Sequence, residues 1–580
     1  MIPSRTLLLL SFSVAAVTGR SSKPNFIFII TDDQDLHLNS LDYQPAVQKH
    51  FAQEVSLLTG KAAHNTNVTD VSAPYGGYPR FIEEGFNDAY LPVWLQEAGY
   101  NTYYTGKLMN GHSTSTYDAP RASGWNGSDF LIDPGTYVFY NSTMTRNHDT
   151  YRNLPGEYST DLVANAAVSF LDEAIAAPDR PFFIGVAPIA PHSETITNPR
   201  PTKFNLPVPA KRHEHLFSDV KVPRTPNFNP SKPGTASYFS TLRPLNASEI
   251  AYNDAWYRAR LQTLQSVDDL INSIMNRLSE DPEVLENTYL IYTTDNGFHI
   301  SQHRLPPGKS CGIEEDINIP FFIRGPGIAK NAVMDIPSSH TDIVPTLFHL
   351  AGIPAREDFD GEVIPVTGAM QERGGKSEHV NIEFWGEYLV EGNTFYGQSA
   401  WANNTYKTVR VVGEEYDLSY TVWCTNEREL YDMKVSLISL FSLTLPLLHR
   451  LGNQGADKPN KTDPYQLINL LSTPNTNTTS STTHINTYPI LPLTARLDAL
   501  LLTLKRCKGR VCTRPWEKLH PDGNVRTLKD AMHEKYDVFY LEKQKKVSFE
   551  ECALGQILEV EGPLEPVAWR EEWDEWSWGT

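Results

Sequence analysis

Residues 25–30 read Asn-Phe-Ile-Phe-Ile-Ile, an unbroken apolar and β-prone run with no polar alternation, and this predicts a strand buried on both faces of a mainly parallel sheet. Three further runs have the same character, at 181–187, 288–293 and 320–324. Between them the apolar spacing becomes helical, at 90–98, 160–177 and 249–278, the last with Leu261, Leu264, Val267 and Ile271 on one face. Strands alternating with helices predict an α/β fold, a mostly parallel sheet flanked by helices, with ligands at the carboxyl ends of the strands. From about residue 370 the pattern shifts to short strands at 380–384, 406–412 and 418–424, then polar linkers and a helix at 491–504. A smaller C-terminal α+β domain with an antiparallel sheet is expected over 371–580. Its Trp-rich acidic tail, 569–576, is expected to pack back or to be disordered rather than to bind a partner.

The first twenty residues stand apart. Arg5, an apolar stretch from Leu7 to Val17, and small or polar residues before Lys23-Pro24 predict a secretory signal peptide cut near Gly19 to Ser22. That stretch is shorter than the roughly 20 apolar residues of a membrane span. Asn-x-Ser/Thr sequons at Asn67, Asn126, Asn141, Asn246, Asn403, Asn460 and Asn477 agree with passage through a glycosylating, secretory compartment. In such a compartment Cys507 can bridge to Cys512 and Cys424 to Cys552, which leaves Cys311 as a structural thiol.

Composition narrows the partners. A chain of 580 residues with 40% hydrophobic content can bury the cores of two or more domains. Its 69 acidic residues outnumber 50 Lys and Arg, a net charge of −19, so no basic face exists for nucleic acid or an anionic membrane. Any anionic substrate must be held by local cations.

The strand ends supply chemistry. Asp32 and Asp33 leave the first predicted strand together, and Asp295 and Asn296 leave the third; three carboxylates and an amide oxygen suit a hard cation such as calcium or magnesium. Nearby loops carry Lys107 after the Tyr100–Tyr104 segment, His192 after the 181–187 run and Lys309 in Pro307-Gly308-Lys309, a cationic ring able to hold a tetrahedral oxyanion and a leaving oxygen.

Together these residues carry a family resemblance. Residues 24–35, Ser56-Leu57-Leu58-Thr59-Gly60, 99–107, Ala187-Pro188-Ile189-Ala190-Pro191-His192, Asp295-Asn296-Gly297-Phe298-His299 and Arg324-Gly325-Pro326-Gly327 resemble the sulfatase family, specifically secreted fungal and plant arylsulfatases related to glucosamine-6-sulfatases. The resemblance implies an alkaline-phosphatase-like sheet, one Ca2+ held by Asp32, Asp33, Asp295 and Asn296, and hydrolysis of a small-molecule or glycan sulfate ester. It implies that Lys107, His192 and Lys309 contact the sulfate or its leaving oxygen. It also implies a nucleophile made by oxidising a cysteine to formylglycine.

Three departures qualify the reading. The histidine that many arylsulfatases place two residues after the site lysine is here Met109. The family's Cys-x-Pro-Ser-Arg segment is missing: His50-Phe51-Ala52-Gln53-Glu54 stands before Val55, and the first cysteine of the chain is Cys311. Residues 435–462 have no counterpart in the family pattern. One segment lost at Glu54-Val55 and one gained at 435–462 fit a pair of misassigned introns. The sequence therefore predicts an intact frame without its nucleophile. The competing readings are a catalytically dead calcium- or sulfate-ester-binding secreted glycoprotein, and a phosphodiesterase or phosphonate hydrolase of the same superfamily using Ser56 or Thr59.

Overall fold

The computed structural model describes residues 21–50, 59–147, 149–197, 202–330, 332–334, 336–372, 377–392, 397, 399–434, 463–472 and 484–573. The expected leader at 1–20, the Glu54-Val55 junction, Ser56, the extra stretch 435–462 and the sequons Asn460 and Asn477 lie outside them.

Strand β1 (Asn25–Thr31) is buried along its whole length. Its side chains part into two cores: Ile27 and Ile29 enter one, Phe26, Phe28 and Ile30 the other. Each fully buried Ile or Phe is worth about 1.5–3 kcal/mol, so a strand apolar from Phe26 to Ile30 needs a helical layer on both faces. The layers are present. Helices α3 (Ser159–Ile175) and α4 (Ala247–Ser279) cover the first face with Val163, Phe170, Leu264 and Val267. Helices α1 (Gly77–Glu83), α2 (Leu91–Glu97) and α5 (Ile343–Leu350) cover the second with Phe81, Trp94 and Leu347. The start of α4 is set by a capping box: Asn246 Oδ1 accepts from the Ser248 and Glu249 amides, and the Glu249 carboxylate accepts from the Asn246 amide at 2.7 Å.

The other strands of the main sheet are β2 (Asn101–Lys107), β3 (Gly127–Leu131), β4 (Asn141–Arg146), β5 (Arg152–Pro155), β6 (Phe182–Ala187), β7 (Thr288–Thr294) and β8 (Phe321–Arg324). Their order is β8-β7-β1-β6-β2-β3-β4-β5. The central run β7-β1-β6-β2-β3 is parallel, while β8, β4 and β5 are antiparallel additions. Strand β8 corrects its sequence-based reading as a strand buried on both faces. It lies at the sheet edge with Phe321 and Ile323 buried and Phe322 and Arg324 half-buried. Between β7 and β8 the only helix among the described residues is the single turn Glu314–Ile317, too short for a parallel crossover, so the chain returns antiparallel.

After residue 370 a second, antiparallel sheet forms from β9 (His379–Phe384), β10 (Tyr406–Val412), β11 (Asp417–Trp423) and β12 (Arg428–Asp432), in that order. Helix α6 (Ile490–Leu504) buries Leu497, Leu500 and Leu504 in one core with Val409, Val411, Leu418 and Val422. Disulfides join Cys424 to Cys552 and Cys507 to Cys512, and Cys311 is free and buried. Trp569 of the tail is buried against His520 and Tyr536, and Trp573 stacks on Phe539. Residues 574–580 lie outside the described residues.

Candidate metal and oxyanion site

Parallel register brings the acidic strand ends together. Thr31 of β1 pairs with Thr294 of β7, so Asp32 and Asp295 emerge side by side. The Asp33 amide donates to Asp295 Oδ1 at 2.9 Å, and the Asn296 amide donates to the same oxygen at 2.8 Å. Asn296 Nδ2 donates to Asp33 Oδ1 at 2.8 Å. Asp33 itself adopts a left-handed backbone, φ 72°, a conformation that aspartate tolerates better than most residues. The backbone carbonyl of Asp33 accepts from the fully buried guanidinium of Arg260 on α4, which also reaches Asp35 at 3.2 Å and lies over the Phe298 ring.

The cations come from the ends of β2 and β6 and from the loop between β7 and β8. Gly106 of β2 pairs with Ala187 of β6, and a Cβ at Gly106 would sit 2.0 Å from the Ala187 carbonyl oxygen, so only glycine allows this approach. The next residue, Lys107, then reaches Asp32 Oδ2 at 2.7 Å and Asp295 Oδ2 at 3.6 Å. Lys309 Nζ lies 2.6 Å from Asp33 Oδ1 and 3.3 Å from Glu391 Oε1. His192 presents Nε2 to Asp33 Oδ2 at 3.6 Å, while its Nδ1 meets the Ser193 carbonyl at 2.8 Å. Tyr137 fills the space between two of them: its ring lies 4.4 Å from the His192 ring, and the Lys107 ammonium lies 5.1 Å from its centroid.

The four charged groups at the centre of the site respond differently to their surroundings. Burial and the facing Asp295 carboxylate push Asp32 up to about 7, against Lys107 and His192. Burial acts the same way on Asp33, but Lys309 and His192 outweigh it and hold Asp33 well below the usual carboxylate range. Burial opposes charge on Lys107 and Lys309, yet Asp32 raises the first and Asp33 and Glu391 raise the second, so both stay protonated. Asp32 Oδ1 and Asp33 Oδ2 are buried with no hydrogen-bond partner among the described residues. Crowded carboxylates with orphaned oxygens are a cost unless a cation binds, and an all-oxygen donor set fits calcium.

All seven residues singled out from the sequence, Asp32, Asp33, Asp295, Asn296, Lys107, His192 and Lys309, are thus brought to one place. Tyr137, Glu391 and Arg260 were not found from the sequence. Nothing near them in the chain marks them; the earliest usable signal is their burial.

Comparison with known proteins decides the family. A sequence model of the Sulfatase family matches residues 24–353. The chain belongs to the sulfatase family. The sulfatase ppz1 of Metarhizium majus is 44% identical over 93% of this chain and 97% of its own length. The arylsulfatase of Volvox carteri is 35% identical over 92% and 82%, and the N-acetylglucosamine-6-sulfatase of Homo sapiens is 28% identical over 87% and 88%. Among solved structures, BT4656 in complex with its substrate D-glucosamine-2-N,6-O-disulfate covers 71% of this chain and 91% of its own with a TM-score of 0.54 at 19% identity. The yidJ protein of Bacteroides fragilis covers 74% and 94% with a TM-score of 0.52 at 16% identity. These likenesses give the sulfatase family's alkaline-phosphatase-like fold, and membership supports sulfate ester hydrolysis at the level of the family.

Proposed function

We propose that this chain carries the calcium- and sulfate-binding frame of an arylsulfatase-type sulfuric ester hydrolase, and that, lacking the family's cysteine, it binds sulfate esters without turning them over. The observation that carries the reading is the pairing of Lys107, at the end of β2, with Asp32 and of Lys309, in the loop between β7 and β8, with Asp33. Asp32, Asp33, Asp295 and Asn296 would hold calcium, which when bound supplies positive charge to the sulfate oxygens. Lys107 and Lys309 donate to those oxygens and orient the ester. His192 Nε2 or the Lys309 ammonium is placed to give a proton to the departing alcohol oxygen. Tyr137 holds Lys107 and His192 in relation to each other, and Glu391 holds Lys309.

The attacking group is what the chain lacks. Thr59 lines the same cavity, where its Oγ1 accepts from the Lys61 amide at 3.3 Å, and no observation favours a phosphate- or phosphonate-ester reading. Secretion and glycosylation belong to the proposal: Asn67, Asn126, Asn141, Asn246 and Asn403 are all exposed. No helix among the described residues is long and apolar enough to cross a membrane.

Calorimetric titration of the purified chain with calcium and then methyl sulfate tests the frame. Saturable ester binding that requires calcium and is lost in Lys107→Ala is expected. Ester binding indifferent to both would sink the reading.

A further inference from the structure

A second set of metal-ligating side chains lies between β7 and β8. His299, Cys311 and Asp316 are buried, and one ligand atom from each, an imidazole nitrogen, the thiol sulfur and a carboxylate oxygen, falls within 4.8 Å of the other two. The backbone builds the cluster. His299 and Gly308 exchange amide-to-carbonyl bonds at 3.0 and 3.2 Å, and the Gly297 amide donates to the Asp316 carbonyl at 2.9 Å, so both arms of the loop are closed on each other. A Cβ at Gly297 would sit 2.1 Å from the Glu315 carbonyl oxygen, so this approach requires glycine. Asp316 then reaches the other two: its carboxylate oxygens face His299 Nδ1 at 2.8 and 3.0 Å, and one of them accepts from the Cys311 amide at 2.8 Å.

The groups around the cluster are tied in turn. The Tyr238 hydroxyl lies 3.1 Å from Cys311 Sγ and donates to Asn404 Oδ1 at 3.0 Å, while Asn404 Nδ2 donates to the Ser310 carbonyl at 2.7 Å. The Tyr388 hydroxyl lies 3.2 Å from His299 Nε2 and donates to the Pro306 carbonyl at 3.1 Å. Outer partners of this kind fix the ligands of a metal site in place. Burial and the nearby Asp316 carboxylate push the Cys311 thiol well up, so sulfur and carboxylate are poorly matched neighbours until a cation lies between them. Thiolate, imidazole and carboxylate together suit zinc, whereas calcium takes oxygen ligands. Cys311 and Asp316 line the cavity that also holds Lys107 and Lys309, which gives an ion its path in. The trio of His64, Cys507 and Cys512 is different, because its two sulfurs are bonded to each other.

We propose that His299, Cys311 and Asp316 bind one zinc-type divalent ion, with a ligand set of their own distinct from Asp32, Asp33, Asp295 and Asn296. On binding, the Cys311 sulfur gives its proton to solvent and forms the metal–sulfur bond. The ion staples the span from 299 to 316, which carries Lys309 two residues before Cys311.

The test is a titration of the full-length chain with cobalt(II), an absorbing stand-in for zinc, in saturating calcium so that oxygen-only sites are filled. The other four cysteines are paired in disulfides, so a thiolate-to-cobalt absorption band reports Cys311 alone. The band is expected to saturate at one equivalent, to vanish on adding zinc and to be absent from Cys311→Ser. His299→Gln and Asp316→Asn, checked for folding by thermal melting, are expected to weaken cobalt binding about tenfold or more. X-ray absorption of the native chain loaded with one equivalent of zinc needs no variant. It is expected to show one sulfur at about 2.3 Å with nitrogen and oxygen at about 2.0–2.2 Å. No thiolate band, a zinc shell without sulfur, or cobalt affinity unchanged in folded His299→Gln and Asp316→Asn overturns the proposal and leaves a hydrogen-bonded cluster only.

Discussion

Lys309 is shared between carboxylates from two distant parts of the chain: Asp33 follows β1, while Glu391 lies within the hairpin formed by 388–389 and 400–401. A charge-assisted bond at that distance contributes about 1–2 kcal/mol, so Glu391→Gln is expected to weaken sulfate-ester binding roughly 5–30-fold with the melting temperature nearly kept. Unchanged affinity would remove Glu391 from the site. Tyr137→Leu is expected to loosen Lys107 and His192 together and lower ester affinity by about tenfold, because the leucine keeps apolar bulk but not the aromatic face. Both residues show where the sequence stops being legible. Asp32 and Asp295 announce themselves because each follows an apolar run, where a parallel sheet presents its ligands. Tyr137 and Glu391 sit in loops without periodicity, and their roles arise from tertiary contact alone.

At the scale of elements, one imidazole joins the segment after Gly60 to the second sheet. His64 is buried, with Nδ1 at 2.7 Å from Glu383 Oε1 and Nε2 at 2.9 Å from the Cys507 carbonyl. Both ring nitrogens face acceptors, so the doubly protonated form satisfies both. Burial alone would lower its pKa, and nearby Lys407 acts the same way, but Glu383 and the Cys507 carbonyl outweigh them and raise it. A histidine whose folded value is raised contributes stability that is fully present below about 6.5 and lost as pH rises through the folded value. The melting temperature should therefore fall on raising the pH from 6 into the alkaline range, and His64→Gln should lose roughly 1–3 kcal/mol at pH 6 and much of that dependence. Equal pH slopes for both chains would contradict the account.

The Cys424–Cys552 bridge closes a span of 128 residues around α6. Replacing both cysteines by serine is expected to cost about 2–4 kcal/mol in denaturant unfolding. Strands β1, β6 and β7 were legible because burial on both faces leaves no polar position to blur the run. Strands β3 to β5 were not: β4 reads Asn-Ser-Thr-Met-Thr-Arg and β5 is largely exposed at the sheet edge, so neither carries an apolar signature.

For the whole molecule, the fold is that of the sulfatase family, while the Cys-x-Pro-Ser-Arg segment expected before Val55 is absent from the sequence. A misassigned pair of introns is the hypothesis that joins that loss to the surplus at 435–462. The transcript is expected to encode a further segment containing Cys-x-Pro-Ser-Arg before Val55 and to omit the codons for 435–462. A message that joins Glu54 directly to Val55 and retains the surplus would contradict this origin and leave a binding protein as the natural product.

The most direct measurement on the 580-residue chain is release of 4-nitrophenolate from 4-nitrophenyl sulfate in millimolar calcium. The account predicts no release above a protein-free control, despite saturable binding of the ester. Calcium-dependent turnover that disappears in Lys107→Ala would contradict it, because it would mean that another group of this chain attacks sulfur.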